Sequence, residues 1–361
     1  MNNFNMDMDE NIVSIKVIGA GGAGGNAVNR MIENNTKGVE FIAVNTDAMA
    51  LRKCAAPTKI LLGEKITRGR GAGANPDVGK NACEENLEDI RQVLQGTDML
   101  FITAGMGGGT GTGSAPVIAK LARDMGILTV GIVTKPFTFE GNVKMQNALK
   151  GIENLREYVD SLVVIPNEKL KYVTENKITM MNAFATADDV LRQGVQSISE
   201  LINVPGMINL DFADVTTIMS NAGLAHMGIG RAKGKDKAEL ASRAAISSPL
   251  LETAITGAKG LIINFTVSPD IGLDDIDATA ASISSEANPD AIIIWGVAFD
   301  ESYDDEMKVT VIATGFDNDS QVGEAVKSAG DRGTISAEPK RPAPIKENDG
   351  WDFEDLFGAK K

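Results

Sequence analysis

Apolar positions along this chain follow two patterns, and the alternation between them predicts the fold class. Short, almost continuous apolar runs rich in β-branched residues predict buried strands at 12–18, 39–45, 98–104, 127–134 and 161–166. Helical stretches separate these runs, at 26–33, 77–94 and 114–123. Strands that are apolar on both faces and alternate with helices are typical of a parallel sheet covered on both sides, so we expect an α/β domain.

A long helix is predicted after the last of these strands. Its apolar residues stand at 184, 187, 191, 195, 198 and 202, in steps of three and four that keep them on one face. Pro205 and Gly206 end it. Further along, helices at 235–246 and 273–286 and strands at 260–267, 291–299 and 307–315 predict a second, smaller α/β domain.

The chain becomes polar after Phe316, with prolines among charged residues. Such a segment buries too little apolar area to offset the entropy of ordering, so we expect disorder. The final stretch WDFEDLF differs, because Phe353, Leu356 and Phe357 stand at helical spacing. It predicts a short peptide that becomes ordered in the groove of a partner, although an idle apolar tail would explain the same residues.

Composition narrows the classes of function. The 361 residues carry a net charge of -14, which disfavours nucleic-acid binding through many phosphate contacts. No apolar run reaches the ~20 residues of a membrane-spanning helix, and the acidic first residues do not resemble a secretory signal. We therefore expect a cytoplasmic protein without direct membrane insertion. Cys54 and Cys83 lack metal-ligand spacing and are interpreted as packing residues.

Glycine is over-represented, with 38 residues, and the excess lies in three clusters at 19–25, 69–79 and 105–113. The first cluster has the spacing G-x-G-x-x-G between a strand and a helix, which is typical of dinucleotide-binding loops. Asp47, just after the next strand, could then be the ribose-binding acid of a nicotinamide enzyme. By itself the motif also fits a simple tight turn.

The loop 107–113, GGGTGTG, predicts a second phosphate site between a strand and a helix. Residues without a Cβ, or with a small hydroxyl, let main-chain N–H groups converge on phosphate oxygens at the positive end of the helix. The chain contains no G-x-x-x-x-G-K-[ST], which argues against a P-loop NTPase. We therefore expect a nucleotide whose Mg²⁺ is held mainly by phosphates and water, with no metal site built from side chains.

With these motifs the sequence resembles the FtsZ family, the bacterial tubulin-like cell-division GTPases. GGGTGTG matches the signature loop of the family, and the resemblance covers about 12–315, through KPFTFEG (135–141), NLDFADV (209–215) and AISSPLLE (245–252). It implies a tubulin/FtsZ-like α/β fold with a Rossmann-like parallel sheet. The implied organisation is an N-terminal extension at 1–11, a GTP-binding domain at 12–178, a central helix at 179–204, a C-terminal activation or polymerisation domain at 205–316, a disordered linker at 317–348 and a docking peptide at 349–361.

The resemblance also implies a site for GTP or GDP that is formed by two glycine loops. The first loop would contact the nucleotide through Gly22, Ala23, Gly24, Gly25 and Asn26. The signature loop would contact the phosphates through Gly107, Gly108, Gly109, Thr110 and Gly111.

Three side chains outside the loops complete the implied site. Glu140 would accept hydrogen bonds from the ribose hydroxyls, and Asp188 would bind the N1–H and amino groups of guanine. Asp189 stands where some members carry Asn, which leaves open which of the two acids binds the base. Lys144 stands where the family often has Arg, so it keeps the charge but loses the bidentate geometry in its phosphate contact. Phe184 could stack on the base or belong to the core, and it stays unassigned.

Catalysis needs residues beyond the glycine loops, because these loops hold no group that positions a hydrolytic water. The only histidine, His226, lies in the predicted second domain and is interpreted as a packing or surface residue. The resemblance implies that Asn209, Asp211 and Asp214 form a catalytic loop that reaches the nucleotide of a neighbouring subunit. A nucleotide on one face and its catalytic loop on the opposite face make a head-to-tail contact, which builds filaments.

The resemblance therefore implies an assembly-dependent GTPase whose filaments form the division ring at midcell. The C-terminal peptide would bind membrane tethers, but its ending GWDFEDLFGAKK departs from the usual pattern of the family and leaves the tether open. Two other classes of function remain. A nicotinamide dehydrogenase would use the first glycine loop but leaves GGGTGTG unexplained, and a nucleotide-binding scaffold would assemble without hydrolysis.

Overall fold

The structure is built on one mixed β-sheet, and the computed structural model describes residues 13–172, 179–180, 182–203, 211–251 and 255–316. The predicted extension at 1–11, the linker at 317–348 and the docking peptide at 349–361 lie outside these residues. The strands are β1 (Ile15–Ala20), β2 (Glu40–Asn45), β3 (Thr58–Leu61), β4 (Met99–Gly105), β5 (Leu128–Lys135), β6 (Ser161–Pro166), β7 (Gly223–Lys233), β8 (Gly260–Val267), β9 (Ile292–Phe299) and β10 (Glu306–Thr314).

Helices connect most of the strands, as the alternating pattern predicts. The α-helices in the described part of the chain are α1 (Gly21–Glu33), α2 (Ala48–Lys53), α3 (Glu64–Thr67), α4 (Pro76–Glu85), α5 (Leu87–Val93), α6 (Thr110–Asp124), α7 (Asn142–Arg156), α8 (Ala183–Asn203), α9 (Phe212–Met219), α10 (Lys237–Ile246) and α11 (Leu273–Ser284). Short 3-10 turns follow β5 and β6, at Thr138–Glu140 and Asn167–Tyr172. None of these helices is long and apolar enough to cross a membrane.

The order of the strands creates a crevice at one edge of the sheet. Strands β1 to β6 are all parallel and lie in the order β3-β2-β1-β4-β5-β6, so the chain winds in opposite directions from β1 and from β4. In sheets of this kind, ligands bind outside the carboxyl ends of the strands at the point where the order reverses. The first and third glycine clusters follow β1 and β4, directly at this point.

Alternate residues of β1 and β4 reach two different cores. Val17 and Phe101 point to the side of α1 and α8, whereas Ile18 and Ile102 point to the side of α4, α6 and α7, and all four are fully buried. Helices α1 and α6 therefore begin at neighbouring strand ends and then lie on opposite faces of the sheet. This arrangement brings their first turns together at the carboxyl edge of the sheet.

Strand β7 joins the two parts of the sheet. Its first residues, Gly223–Ala225, pair with β6 in parallel, and from His226 onward it pairs with β10 in antiparallel register. The sheet continues through β10 and β8 to β9 at its edge. This mostly parallel sheet, with the long α8 and the block from β7 to β10, confirms the predicted α/β fold class.

Helix α8 runs from one edge of the sheet to the other. Its first turn lies near the 3-10 turn that follows the carboxyl end of β6, at Asn167–Tyr172. At its last residue, Asn203 Nδ2 donates to the carbonyl oxygens of Val13 (3.1 Å) and Gly38 (2.6 Å), which precede β1 and β2. Its 21 residues span about 30 Å, so the segment that follows α8 starts at the amino edge of the sheet.

Candidate functional site: a phosphate crevice between two glycine loops

The two glycine loops that the sequence singles out are in contact. Gly21, the first residue of α1, has a φ of +75°, and a Cβ at this position would lie 3.0 Å from the amide nitrogen of Gly111 and 3.4 Å from Thr110 Cβ. The first turns of α1 and α6 therefore approach each other closely. Only a residue without a side chain fits at position 21.

Neither helix N-terminus is capped by a side chain. The residues before α1 and α6 are Ala20 and Gly109, which make no side-chain cap, and neither helix carries an acid in its first turn. Asp47, Asn75 and Asp211 cap α2, α4 and α9, but α3, α5, α7, α10 and α11 also lack a side-chain cap. What distinguishes α1 and α6 is that their uncapped first turns meet at adjacent strand ends. The first N–H groups of α1 and α6 therefore remain available as donors at the positive ends of two helix dipoles, which is the arrangement that binds anions.

The glycines of the two loops divide into two groups. A Cβ at Gly24 would overlap the carbonyl oxygen of Thr103, and a Cβ at Gly109 would lie 2.5 Å from the carbonyl oxygen of Gly73. These two glycines are required by packing. At Gly22 and Gly108, in contrast, a Cβ would have no neighbour within 4 Å. The open space beside these two residues is where a bound group would fit.

The remaining residues of the two loops lie beside these glycines. On α1, Asn26 is exposed and Gly25 is half-buried, and Ala23 faces Gly105, where an added Cβ would lie 2.6 Å from Ala23 Cβ. Gly107 has a φ of +108° and packs against the backbone of Lys144. The structure thus brings both loops and the start of α7 together at one edge of the sheet.

Glu140 and Lys144 form an ion pair at the start of α7. Glu140 Oε1 accepts a hydrogen bond from the Phe137 amide (2.9 Å), and Oε2 accepts one from Lys144 Nζ. The Glu140 side chain is only 9% exposed, so its carboxylate is held in a fixed position. Lys144, which the sequence analysis assigns to a phosphate contact, has its ammonium on Glu140 in this structure.

Asp188 lies in α8, near Arg30 of α1. The residue is 9% exposed, and no hydrogen bond or ion pair among the described residues engages its oxygens. Burial raises the pKa of Asp188 from 3.8 to about 6, against the opposing effect of the Arg30 guanidinium. Asp189 is different, because Arg192 Nε (2.7 Å) and Gln193 Nε2 (2.8 Å) already donate to it.

An aromatic cluster flanks the start of α8. The ring of Phe184 packs edge-on against Phe137 and Phe139, with centroid distances of 5.6 and 6.3 Å. Phe184 is 45% exposed, so one side of its ring is open to solvent one turn before Asp188. This exposure distinguishes Phe184 from the buried stripe of the same helix.

Two polar residues at this edge are missed by the sequence analysis. The side-chain oxygen of Asn167, directly after β6, is buried and has no hydrogen-bond partner in the described part of the protein. Thr46, directly after β2, is fully buried, and its hydroxyl lies 2.6 Å from the Thr110 hydroxyl. Both follow the carboxyl end of a parallel strand, and this position is the signal that could have identified them.

Two of the three predicted catalytic residues, Asp211 and Asp214, lie away from this edge, at the start of α9. Asn209 falls outside the described residues. Asp211 is exposed, and its Oδ1 caps α9 by accepting from the Ala213 amide (3.1 Å). Asp214, also exposed, lines a groove of roughly 450 Å³ together with Thr217 and four residues of β9, Ile292, Ile293, Ile294 and Trp295. No group of three or more His, Cys, Asp or Glu side chains suited to a metal occurs within the described ranges.

The other residues considered from sequence cap a helix, pack against an aromatic ring or are buried. Asp47, the candidate acid of a nicotinamide site, accepts from the Met49 (2.8 Å) and Ala50 (3.1 Å) amides as the cap of α2. His226 packs edge-on against Phe316. Cys54 and Cys83 are buried, and burial raises the pKa of the Cys83 thiol to about 12.

Comparisons with known proteins give consistent similarities. The GTPase domain of the Tubulin/FtsZ family matches residues 14–175, and the C-terminal domain of the FtsZ family matches residues 223–317. An empty FtsZ dimer from M. jannaschii is 45% identical, with 84% of this chain and 88% of that chain covered at a TM-score of 0.81. A point mutant of the same protein is 44% identical, with 84% and 91% covered and a TM-score of 0.81. CetZ2 from Haloferax volcanii, a GTPγS-bound protofilament, shares the fold at 20% identity, with 88% and 100% covered and a TM-score of 0.72.

Proposed function

The chain belongs to the FtsZ family of tubulin-like GTPases, and from this premise we propose that it is a GTP-dependent, head-to-tail polymerising GTPase. The observation that carries the proposal is the pair of uncapped helix N-termini, α1 and α6, which meet where the strand order reverses. Two such termini can bind several phosphate oxygens through main-chain N–H groups alone. A strongly acidic protein can therefore bind a triphosphate without a cluster of lysines.

In this proposal each part of the nucleotide has its own contacts. The phosphates lie beside Gly22 and Gly108, where the glycines leave open space, and accept from the first turns of α1 and α6. The ribose hydroxyls donate to Glu140, whose carboxylate is already held by Phe137 and Lys144. The base lies against the open side of Phe184.

Guanine selectivity is assigned to Asp188. A buried, unpaired carboxylate is costly, and two donors on one edge of guanine would satisfy both of its oxygens. Adenine presents no such pair of donors. Asn167, whose buried side-chain oxygen has no partner among the residues described, can accept a further hydrogen bond at the same edge of the sheet. Asp189 is already bonded within α8, which favours Asp188 as the base-binding acid.

Magnesium fits this site only as a companion of the nucleotide. The loops supply main-chain N–H groups and the hydroxyl of Thr110 instead of carboxylates, so Mg²⁺ would take its ligands mainly from phosphates and water. When bound, it would neutralise charge on the phosphates. The chain itself orients the phosphates through the glycine loops.

Hydrolysis is assigned to the surface of a second subunit. The acids Asp211 and Asp214 follow α8, whose span of about 30 Å separates the amino edge of the sheet from the glycine loops. These acids therefore cannot reach the nucleotide of their own chain, but in a head-to-tail filament they face the nucleotide of the next. Together with Asn209 they would orient and polarise the attacking water. The groove between α9 and β9, with its exposed Ile292, is suited to become buried in such a contact.

At the level of the cell, we assign the protein to the division ring. The filaments would act in septation, in the cytoplasm at midcell. The C-terminal peptide at 349–361 would bind the membrane tethers, so that attachment is indirect. Neither nucleic acid nor direct membrane insertion forms part of this proposal.

One experiment tests the core of the proposal. The full chain is sedimented after mixing with GTP, GDP or ATP, and phosphate release is measured over a range of protein concentrations. We expect pelleting with GTP only, and a turnover per subunit that rises steeply above a threshold concentration. A rate strictly proportional to protein from the lowest concentrations upward would contradict catalysis between subunits.

The same assay separates the alternatives. Pelleting with GTP but without phosphate release would indicate a scaffold that assembles without hydrolysis. A nicotinamide enzyme is disfavoured because Asp47 caps α2. A fluorescence change of NADH on mixing would restore that possibility.

A further inference from the structure

A pair of threonine hydroxyls lies behind the phosphate crevice. Thr46 Oγ1 and Thr110 Oγ1 are 2.6 Å apart, and Thr46 is fully buried. Among the described residues the Thr46 hydroxyl has no other hydrogen-bond partner. Thr110 is partly exposed and starts α6, so its hydroxyl has the buried Thr46 on one side and the crevice on the other.

The second glycine cluster fixes Thr46 relative to the signature loop. The carbonyl oxygen of Thr46 accepts from the Gly71 amide (3.0 Å), and the Gly109 amide donates to the carbonyl oxygen of Gly73 (2.9 Å). Together with the contact between the two hydroxyls, these hydrogen bonds connect Thr46 to residues 71–73, residues 71–73 to Gly109, and Thr110 back to Thr46. Gly71 and Gly73 have φ values of +88° and +60°, a conformation that glycine adopts without strain.

A hydroxyl has one proton, so the direction of this hydrogen bond determines what Thr110 can do. If Thr110 donates to Thr46, only its lone pairs face the crevice, and these repel an anion. If Thr46 donates to Thr110, the Thr110 proton is free to bind a phosphate oxygen. A chain of two hydroxyls that ends on an anion is also polarised in one direction, which strengthens both bonds.

We propose that Thr46 is a positioning residue of the phosphate site: its hydroxyl donates to Thr110 Oγ1 and so presents the Thr110 proton to a phosphate oxygen. This inference rests on the proposed nucleotide site. Thr46 does not touch the nucleotide, and its effect on binding passes through Thr110. Removing the Thr46 hydroxyl should therefore matter only while the Thr110 hydroxyl is present.

A double-mutant cycle tests this dependence with Thr46→Val and Thr110→Val in the full chain. Affinities for GTP and GDP are measured in dilute protein. The Thr46–Thr110 bond exists with or without nucleotide, so Thr46→Val should weaken binding only through lost polarisation and orientation of the Thr110 hydroxyl, about two- to fivefold. Loss of a bond to a charged group in Thr110→Val should weaken binding about ten- to hundredfold. In the Thr110→Val background, the second change should have no further effect.

Three further variants keep the result interpretable. Thr46→Ser retains the hydroxyl donor and should bind GTP with the affinity of the natural chain. Thr97→Val removes another buried threonine hydroxyl, which has no partner in the described ranges, and should leave the affinity unchanged. Thermal unfolding of each variant without nucleotide measures its stability. If Thr46→Val does not fold, Thr46→Cys replaces it, because cysteine is similar in size and its thiol is only a weak donor.

The outcomes separate this inference from the proposed function. Equal affinity of Thr46→Val and the natural chain would overturn the positioning role, as would losses that multiply in the double variant or a failure of Thr46→Ser to restore binding. If the natural chain itself binds neither GTP nor GDP, the proposed nucleotide site is wrong, and the inference is overturned with it.

Discussion

Asp188 and Asp189 are consecutive residues of α8, yet within the described part of the chain only Asp189 has hydrogen-bond partners. Successive residues of a helix point about 100° apart, and this rotation puts Asp189 beside Arg192 and Gln193 and puts Asp188 in the interface with α1. Sequence alone left the choice between the two acids open. The difference in burial and pairing allows it to be tested.

We expect Asp188→Asn to lose guanine selectivity and to gain stability without nucleotide. Asp188 titrates at about 6 in the folded protein and near 3.8 when unfolded, so the folded state holds more protons between these pH values. The free energy of unfolding of the natural chain therefore falls as pH rises through this window, by about 3 kcal/mol in total. Asp188→Asn avoids that loss, so urea unfolding should show it to be more stable at pH 7 but not at pH 4.

The same residue should make GTP binding depend on pH. Donors on guanine require the ionised carboxylate, so affinity should fall about tenfold between pH 7 and pH 5, one unit below the pKa of about 6. Asp188→Asn should bind weakly at both pH values. Asp189→Asn is the matched control and should keep the affinity of the natural chain. If Asp189→Asn loses GTP binding instead, the assignment between the two acids is reversed.

Gly22→Ala should preserve or raise the stability of the folded protein, whereas Gly24→Ala should lower it. A methyl group at Gly22 meets no protein atom within 4 Å, and alanine favours the helix by up to about 1 kcal/mol, so the variant should be at least as stable as the natural chain. It should bind GTP more weakly, because the methyl group fills the space proposed for the phosphates. At Gly24 the methyl group overlaps the Thr103 carbonyl, so we expect destabilisation of about 1–3 kcal/mol. Thermal unfolding and GTP titration measure both, and unchanged GTP affinity in Gly22→Ala would remove Gly22 from the site.

Asp211→Asn should separate catalysis from stability. Asn caps a helix about as well as Asp, so this variant should keep the cap of α9, whereas Asp211→Ala should lose about 1 kcal/mol with it. Both should bind GTP normally and lose most phosphate release, because the carboxylate that orients water is gone. Asp274→Asn changes an exposed acid in the first turn of α11 and should leave the rate unaltered. A normal rate in Asp211→Asn would end the catalytic assignment.

Glu140→Ala should abolish discrimination between nucleotides with and without ribose hydroxyls. The natural chain should prefer GTP over 2′,3′-dideoxy-GTP, because only GTP can donate to the fixed carboxylate. Lys144→Ala leaves the Phe137 bond to Glu140 in place, and loss of a partly exposed ion pair, worth up to about 1 kcal/mol, should weaken GTP binding at most about fivefold. Competition binding with both nucleotides measures the preference. Equal discrimination by Glu140→Ala and the natural chain would remove the ribose assignment.

Elements with strong periodicity could be predicted from the sequence. The stripe from 184 to 202 predicts α8, found at Ala183–Asn203, because its apolar face packs on the sheet and on α1. The glycine loops could be placed because each follows an apolar strand. Their helices start earlier than predicted, at Gly21 and Thr110 instead of 26 and 114, since glycine-rich first turns do not look helical.

Strand β7 was missed for a physical reason. Gly228 and Gly230 make the segment resemble a loop, yet a Cβ at either would overlap a carbonyl oxygen of α10, from Ala245 or Ala241. The glycines serve close packing of a helix on a strand, which is visible only once both are placed. The single predicted helix 77–94 is wrong, because Asn86 interrupts it and separates α4 from α5. The side-chain oxygen of Asn86 accepts from the Gly63 amide (2.8 Å), a tertiary contact that the sequence does not show.

Candidate residues that depend on packing could not be ranked from sequence. The Thr46 contact with Thr110 joins residues 64 positions apart, and no local pattern marks it. The ion pair of Lys144 with Glu140 is compatible with helical spacing, but the charge of the lysine alone does not predict it. Whether Asp188 or Asp189 is the acid without a partner among the described residues depends on what packs against each side of α8, which the sequence does not show.

The placement of the two ends of α8 at opposite edges of the sheet has a consequence for any filament made of this chain. The two tips of the filament would expose different groups. At one tip, the nucleotide of the last subunit would have no neighbour whose acids reach it. At the other tip, the acids of the last subunit would face no nucleotide. Nucleotide at the first tip would outlast nucleotide in the interior, so subunits should join and leave the two tips at different rates.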